Sequence, residues 1–297
     1  MSASSLPPVI FDVPRRTARL ARSERTIGRA DFLHARAADN AVGSLEALLR
    51  DWPNVLDLSA HPGAFAEALK GSVAEGRVGP VVTIGDRAHR AGPGTAPPGV
   101  ADQSQDLIVS LMSLHWANDL PGALVQIRRA LKPDGLFLGT LLGAGTLKEL
   151  RAVLTEAELE ARGGAQARVS PFADGFDGAA LLQRAGFALP VADVDRVTVR
   201  YPDMLALVRD LRAMGETNVL AGPLRPLTRG IAGRAAELYA ERFGEADGRI
   251  PATFEIVHLA GWAPHESQQK PLPRGSAKMR LADALGVREQ TGEDQDD

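Results

Sequence analysis

The chain contains no cysteine. That absence excludes disulfides, cysteine-ligated zinc, thiolate-bound iron–sulfur clusters and a cysteine nucleophile. No apolar run approaches the ~18 residues that a membrane-spanning helix requires. The opening segment MSASSLPPVI has neither a basic start nor an Arg-rich amphipathic pattern. No secretory or organellar leader is therefore expected, and cytoplasmic residence is the default. Charge of one sign is also missing: 34 basic against 37 acidic residues leave a net charge of -3, which argues against bulk binding to nucleic acid. What remains is an ordinary globular composition over 297 residues, long enough for one elaborated domain or a core carrying a helical insertion.

The balanced total hides a basic stretch. Between residues 15 and 36 stand Arg15, Arg16, Arg19, Arg22, Arg25, Arg29 and Arg36 against only Glu24 and Asp31. Leu20, Ile27, Ala30 and Leu33 recur there at helical spacing. This region is one or two basic helices. It presents either a solvated face or a docking surface for an acidic partner or anionic cofactor.

From residue 54 the pattern alternates. Short apolar runs at Val55–Leu58, Val81–Ile84, Leu107–Met112 and Leu136–Leu142 are bounded by Gly, Pro or Asp, and helical patterns lie between most of them. Short apolar strands with helical crossovers make a mostly parallel sheet buried on both faces, a doubly wound α/β fold. The Gly- and Pro-rich stretch after Asp86 is too short for a further strand and crossover helix, so one edge strand is expected to be missing. The expected organisation is N-terminal basic helices over 1–50, the α/β core over 51–202 and a helical lid over 203–247. A closing strand and strap follow over 248–280, then an acidic, apolar-free tail over 281–297 expected to be disordered.

Ligands in such sheets bind at the carboxyl ends of the strands. The first strand ends in Asp57-Leu58-Ser59-Ala60-His61-Pro62-Gly63. A nucleotide loop would prefer glycine at 59, 61 and 63, and only Gly63 is one, so the segment is either a ligand loop or a tight strand-to-helix turn. Asp86, after the second strand, is placed to bind ribose hydroxyls or to cap a helix. The third strand runs into Ser113-Leu114-His115-Trp116-Ala117-Asn118-Asp119. His115 there is a general base, a hydrogen-bonding anchor or a packed side chain. Asp119 should cap the next helix, and Leu131-Lys132-Pro133-Asp134-Gly135 should stop it and turn into the following strand.

Segments along residues 10–280 carry a family resemblance: SLHWANDLPGAL (113–124), LKPDGLFLGTLLG (131–143), TLKELR (146–151), RVSPF (168–172), LLQRAGF (181–187), RAMGETN (212–218) and ATFEIVHLAGWAPHESQQKPLPRGSA (252–277). Together they resemble class I S-adenosylmethionine-dependent methyltransferases, within them the respiratory complex I assembly factor of that fold and its bacterial relatives. The SLHW and LKPDG segments also occur in malonyl-carrier-protein methyltransferases. RVSPF, MGETN and GWAPHESQ are far more specific to the assembly-factor group. The resemblance implies S-adenosylmethionine as cofactor, held by Asp57, Ser59, Gly63, Asp86 and Asp102, with His115, Trp116 and Asn118 on the catalytic side. It implies a protein substrate, a complex I subunit, altered by methylation or by hydroxylation of an arginine.

Ser59 and His61 depart from the family's glycine loop, and Asp102-Gln103-Ser104 is all that remains of its acidic, adenine-adjacent motif. These departures keep open a non-catalytic assembly chaperone of the same fold. A small-molecule carboxyl methyltransferase is a further alternative, against which the GWAPHESQ and MGETN segments count. No metal is expected: none of His34, His61, His89, His115, His258 and His265 belongs to a His-x-Asp/Glu element. Arg212, Met214, Gly215, Glu216 and Asn218 either line a groove for a protein substrate or form a cap and loop.

Overall fold

The computed structural model describes residues 9–85, 99–172 and 178–269. Residues up to Pro264 form one unit, and a second begins at His265. The first unit is built on six strands: β1 (Val55–Asp57), β2 (Val81–Thr83), β3 (Gln105–Ser110), β4 (Leu131–Leu142), β5 (Ala188–Tyr201) and β6 (Ile250–Trp262). They lie in the order β2-β1-β3-β4-β6-β5. The first four run parallel, and β6 is antiparallel to both β4 and β5. Among the described residues no strand lies beyond β2, and most of the stretch after Asp86, on which the expected loss of an edge strand rests, lies outside them.

The strand sequences show why helices cover both faces. Successive side chains of a strand point to opposite sides. Val55, Leu107, Val109, Leu136 and Leu138 enter one core with α2 (Phe32–Glu46) and α5 (Lys148–Arg162). Their neighbours Leu56, Ile108 and Phe137 enter the other, with α4 (Leu120–Ala130) and α6 (Gly178–Arg184). A strand buried on both sides needs an unbroken apolar run, which is the pattern these segments have.

Helix starts follow local chemistry. Asp119 Oδ1 accepts from the Gly122 amide at 2.9 Å, the cap its position announced. Asp12 caps α1 (Val13–Ser23), and Asp203 caps α7 (Met204–Ala213). A short helix, α3 (Ala64–Leu69), follows the β1 loop. The long α8 (Arg229–Phe243) packs on α5 and β6, while α7 packs on α1 and β5.

The LKPDG segment is not a turn ahead of its strand. It is the bulged start of β4, with Gln105 opposite Leu131 and Leu107 opposite Leu136. Asp134 takes a left-handed backbone there, φ +62°, and absorbs the extra residues. The strap around Lys270 and Arg274 and the acidic tail lie outside the described residues, as does Asp86.

Candidate functional site

At the carboxyl end of β1 the chain continues beside β3 past the last strand residue. Leu58 N–H bonds Val109 O, and Ala60 N–H bonds Leu111 O. Asp57 is fully buried, and its Oδ1 accepts from the Ser59 amide at 2.8 Å. Its Oδ2 is buried with no hydrogen-bond partner among the described residues. Burial pushes the Asp57 carboxyl above the usual carboxylate range, against the loop's hydrogen bonds. Ser59 turns inward and its Oγ accepts from Leu111 N–H at 2.9 Å. His61 Nε2 lies 2.8 Å from Met214 O, so that nitrogen is the donor. Its ring stands edge-on to His34, centroids 4.7 Å apart. Gly63 closes the turn at φ +99°, a backbone glycine adopts without strain.

The loop after β3 brings His115 and Trp116 against Glu216, which lies between α7 and α8. The Glu216 carboxylate is buried and accepts hydrogen bonds from three residues. His115 Nε2 lies 2.9 Å away, Trp116 Nε1 3.0 Å and Arg16 Nη2 3.1 Å. Burial alone would raise this carboxyl, but Arg16 and His115 outweigh it and hold it down at about 2. Arg16 also donates to Gly215 O and sits over the Trp116 ring, 4.9 Å from its centroid. Phe11 and Phe172 pack edge-on against Trp116. His115 Nδ1 accepts from Leu142 N–H at 3.4 Å, which leaves Nε2 as the nitrogen that donates to the carboxylate.

Asn118 is placed differently. Its Oδ1 accepts from the Ile10 and Phe11 amides, and its Nδ2 donates to Phe11 O. The side chain is thus committed to holding the N-terminal segment. Asp102 precedes β3 and pairs with Arg129 at an exposed position. Because β1 and β3 are parallel, Asp102 lies off the amino ends of the strands, opposite the edge where Asp57 sits. The structure therefore gathers Asp57, Ser59 and Gly63 in one turn and His115 with Trp116 in one network, and sets Asp102 apart from both.

Beside Trp116 and Glu216 lies a groove of about 460 Å³ between α1, α5 and α7, also lined by Arg19, Arg22, Phe172 and Arg212. Among the described residues no group of three or more His, Asp or Glu side chains is arranged to hold a metal ion. No helix among them is long and apolar enough to cross a membrane.

Set against S-adenosylmethionine, this edge fits at Asp57, whose buried Oδ2 lacks a partner, and at Gly63, beside which a Cβ would meet no atom within 4 Å. At Ser59 and His61 the approach that glycines would leave open is taken by side chains bonded within the protein.

Two residues of the network escaped sequence reasoning in their role: Arg16, one of many arginines in a basic stretch, and Glu216, read only as a groove or cap residue. Their pairing spans 200 positions, and no spacing rule reaches that far.

Residues 19–190 match the methyltransferase domain family. The chain is similar to the mitochondrial arginine-hydroxylase NDUFAF5 of Danio rerio, with 38% identity over 285 residues, 92% of this chain and 89% of that protein. It is 39% identical over 166 residues to the malonyl-[acyl-carrier protein] O-methyltransferase of Methylovorus sp. (strain MP688), covering 56% of this chain and 53% of that one. The solved YcgJ protein from Bacillus subtilis is 14% identical, with a TM-score of 0.47 over 77% of this chain and 99% of that chain.

Proposed function

Because the chain belongs to the methyltransferase domain family, and to the same group as the NDUFAF5 proteins, we propose that it modifies a protein substrate during assembly of respiratory complex I. The observation that carries this reading is the reach of the similarity, which extends over 89% of the Danio rerio relative. The SLHW and MGETN segments meet at one buried carboxylate through His115, Trp116 and Glu216. That contact ties the loop at the sheet's edge to the segment lining the groove.

In this reading Asp57 and Gly63 hold S-adenosylmethionine. When bound, that cofactor supplies an electrophilic methyl group. The chain's own residues position and enclose the substrate. Glu216 fixes the His115 ring, Trp116 and Phe172 form a wall that excludes water, and the groove beside them receives the substrate segment. The relatives' name points to arginine as the residue altered. In this reading the place of the work is the cytoplasm and its object a complex I subunit.

A second reading rests on Ser59 and His61. With the cofactor's approach filled by those side chains, the protein keeps the substrate groove and serves as an assembly chaperone without chemistry. Complementation separates the two. In cells lacking this protein, complex I assembly is restored by the wild-type chain and, under the chaperone reading alone, by a folded variant carrying Asp57→Ala and His115→Ala. Normal complex I in the deleted cells refutes both readings. Titration calorimetry with S-adenosylmethionine adds an independent readout, and silence at about 1 mM ligand, where binding weaker than roughly 4 kcal/mol begins, removes the cofactor.

A further inference from the structure

The groove beside Trp116 has an uncommon charge arrangement. Arg22 and Arg212 are exposed on its rim, from α1 and α7, and neither has a carboxylate partner among the described residues. Other arginines are paired: Arg36 with Asp195, Arg168 with Glu158, Arg200 with Glu245, Arg234 with Glu160. Arg19, between the two, donates to Thr217 Oγ1 and Asn218 O. Burial lowers its pKa first, and the cations Arg15, Arg22, Arg16 and Arg212 lower it further. The crowding is thus felt at the centre of the rim. Among the described residues the only carboxylate lining the groove is Glu216, already taken by Arg16, His115 and Trp116.

The floor is of opposite character. Leu150 and Leu154 from α5, Leu211 from α7 and Phe172 make it apolar. Ser170 stands beside them: it lines the groove, and its buried hydroxyl has no hydrogen-bond partner among the described residues. A buried hydroxyl left without a partner costs stability unless something arrives to bond it. Cations gathered without an anion likewise favour whatever brings one.

We propose that this groove binds a peptide segment in which carboxylates flank apolar side chains, Arg22 and Arg212 engaging the carboxylates, the leucine floor taking the apolar residue and Ser170 bonding the peptide backbone. The proposal deepens the reading of the protein as one that acts on a protein substrate, and it names the chemistry of the segment recognised. The charges select the acidic flanks, and the floor rejects a purely polar acidic chain, so both features are needed.

Fluorescence anisotropy with labelled synthetic peptides tests this on the full chain. The probes are Gly-Glu-Leu-Asp-Leu-Glu-Gly, a version with Lys in place of the acidic residues, and a version with Ser in place of the leucines. Saturable binding is expected of the first alone. Its Kd rises about tenfold in the Arg22→Ala, Arg212→Ala double variant, and rises between about 50 and 300 mM salt as screening increases. Ser170→Ala weakens binding about threefold without lowering the Tm, since removing a buried hydroxyl that bonds nothing relieves a cost rather than breaking a contact. No saturation at about 1 mM peptide, equal binding of the lysine version, or an unchanged Kd in the double variant overturns the proposal. Decanoate binding in the groove while the peptide does not would reassign it to a small amphipathic acid and overturn it as well. Complex I assembly in deleted cells is scored separately: normal assembly together with peptide binding refutes the proposed function and leaves the groove's ligand class standing.

Discussion

His34 offers the sharpest test of the packing around the β1 loop. The residue is 2% exposed, both ring nitrogens lack partners among the described residues, and His61 stands beside it. Burial, aided by the His61 charge, lowers its pKa from 6.5 to about 3. The sign follows from proton uptake. Between these two values the unfolded chain holds a proton that the folded chain refuses, so the stability this histidine contributes is complete above about pH 6.5 and is lost as pH falls towards 3. Across the whole window the loss is about 5 kcal/mol, and by pH 5 it is already about 2 kcal/mol. His34→Leu removes the titration while filling a similar volume. Urea unfolding of both proteins at about pH 7.5 and 5 should show the wild type losing about 2 kcal/mol more than the variant over that interval. His61 and His258, whose pKa values are lowered by burial as well, act alike in both proteins and cancel. Equal losses in the two would refute the reasoning, because they would mean that His34 is as free to protonate in the folded chain as in the unfolded one.

Three further expectations come from the same region. Glu216→Gln leaves the Arg16 cation buried without its counter-charge, which should cost ~3–5 kcal/mol and lower the Tm by roughly 10 °C, while adding Arg16→Met recovers part of the loss. Additive effects of the two changes in a double-mutant cycle would deny the pairing. Asn118→Ala removes three hydrogen bonds to Ile10 and Phe11, at about 1–3 kcal/mol, and amide exchange at those two positions should accelerate well before the global transition does. His61→Gly opens the turn after β1, and calorimetry should find S-adenosylmethionine bound about tenfold more tightly than by the wild type; an unchanged titration would show that the imidazole does not obstruct the approach.

The strands of the sheet were legible because a strand buried on both faces must be written as an apolar run, as at Leu107–Met112 and Leu136–Leu142. Capping was legible for a similar reason: Asp119 acts within its own turn. The bulged start of β4 was not, since a Pro-Asp-Gly stretch has the composition of a turn whether or not its neighbours pair with the sheet. Asp102 was misplaced because an acidic residue before a strand carries no sign of which end of the sheet it occupies, and only the parallel register with β1 decides that. The network at Glu216 left no local trace at all. Its partners Trp116 and Arg16 stand 100 and 200 positions away, and neither propensity nor periodicity extends to such separations.

The Arg16–Glu216 pair also imposes an order on biosynthesis. A ribosome adding about 5–20 residues per second delivers Glu216 roughly 10–40 s after Arg16. Until then the first helix has no buried anion to dock against, and a bare guanidinium will not leave water on its own account. The first helix is therefore among the last elements to settle, and in the interval its arginines remain available to whatever acidic surface the nascent chain meets.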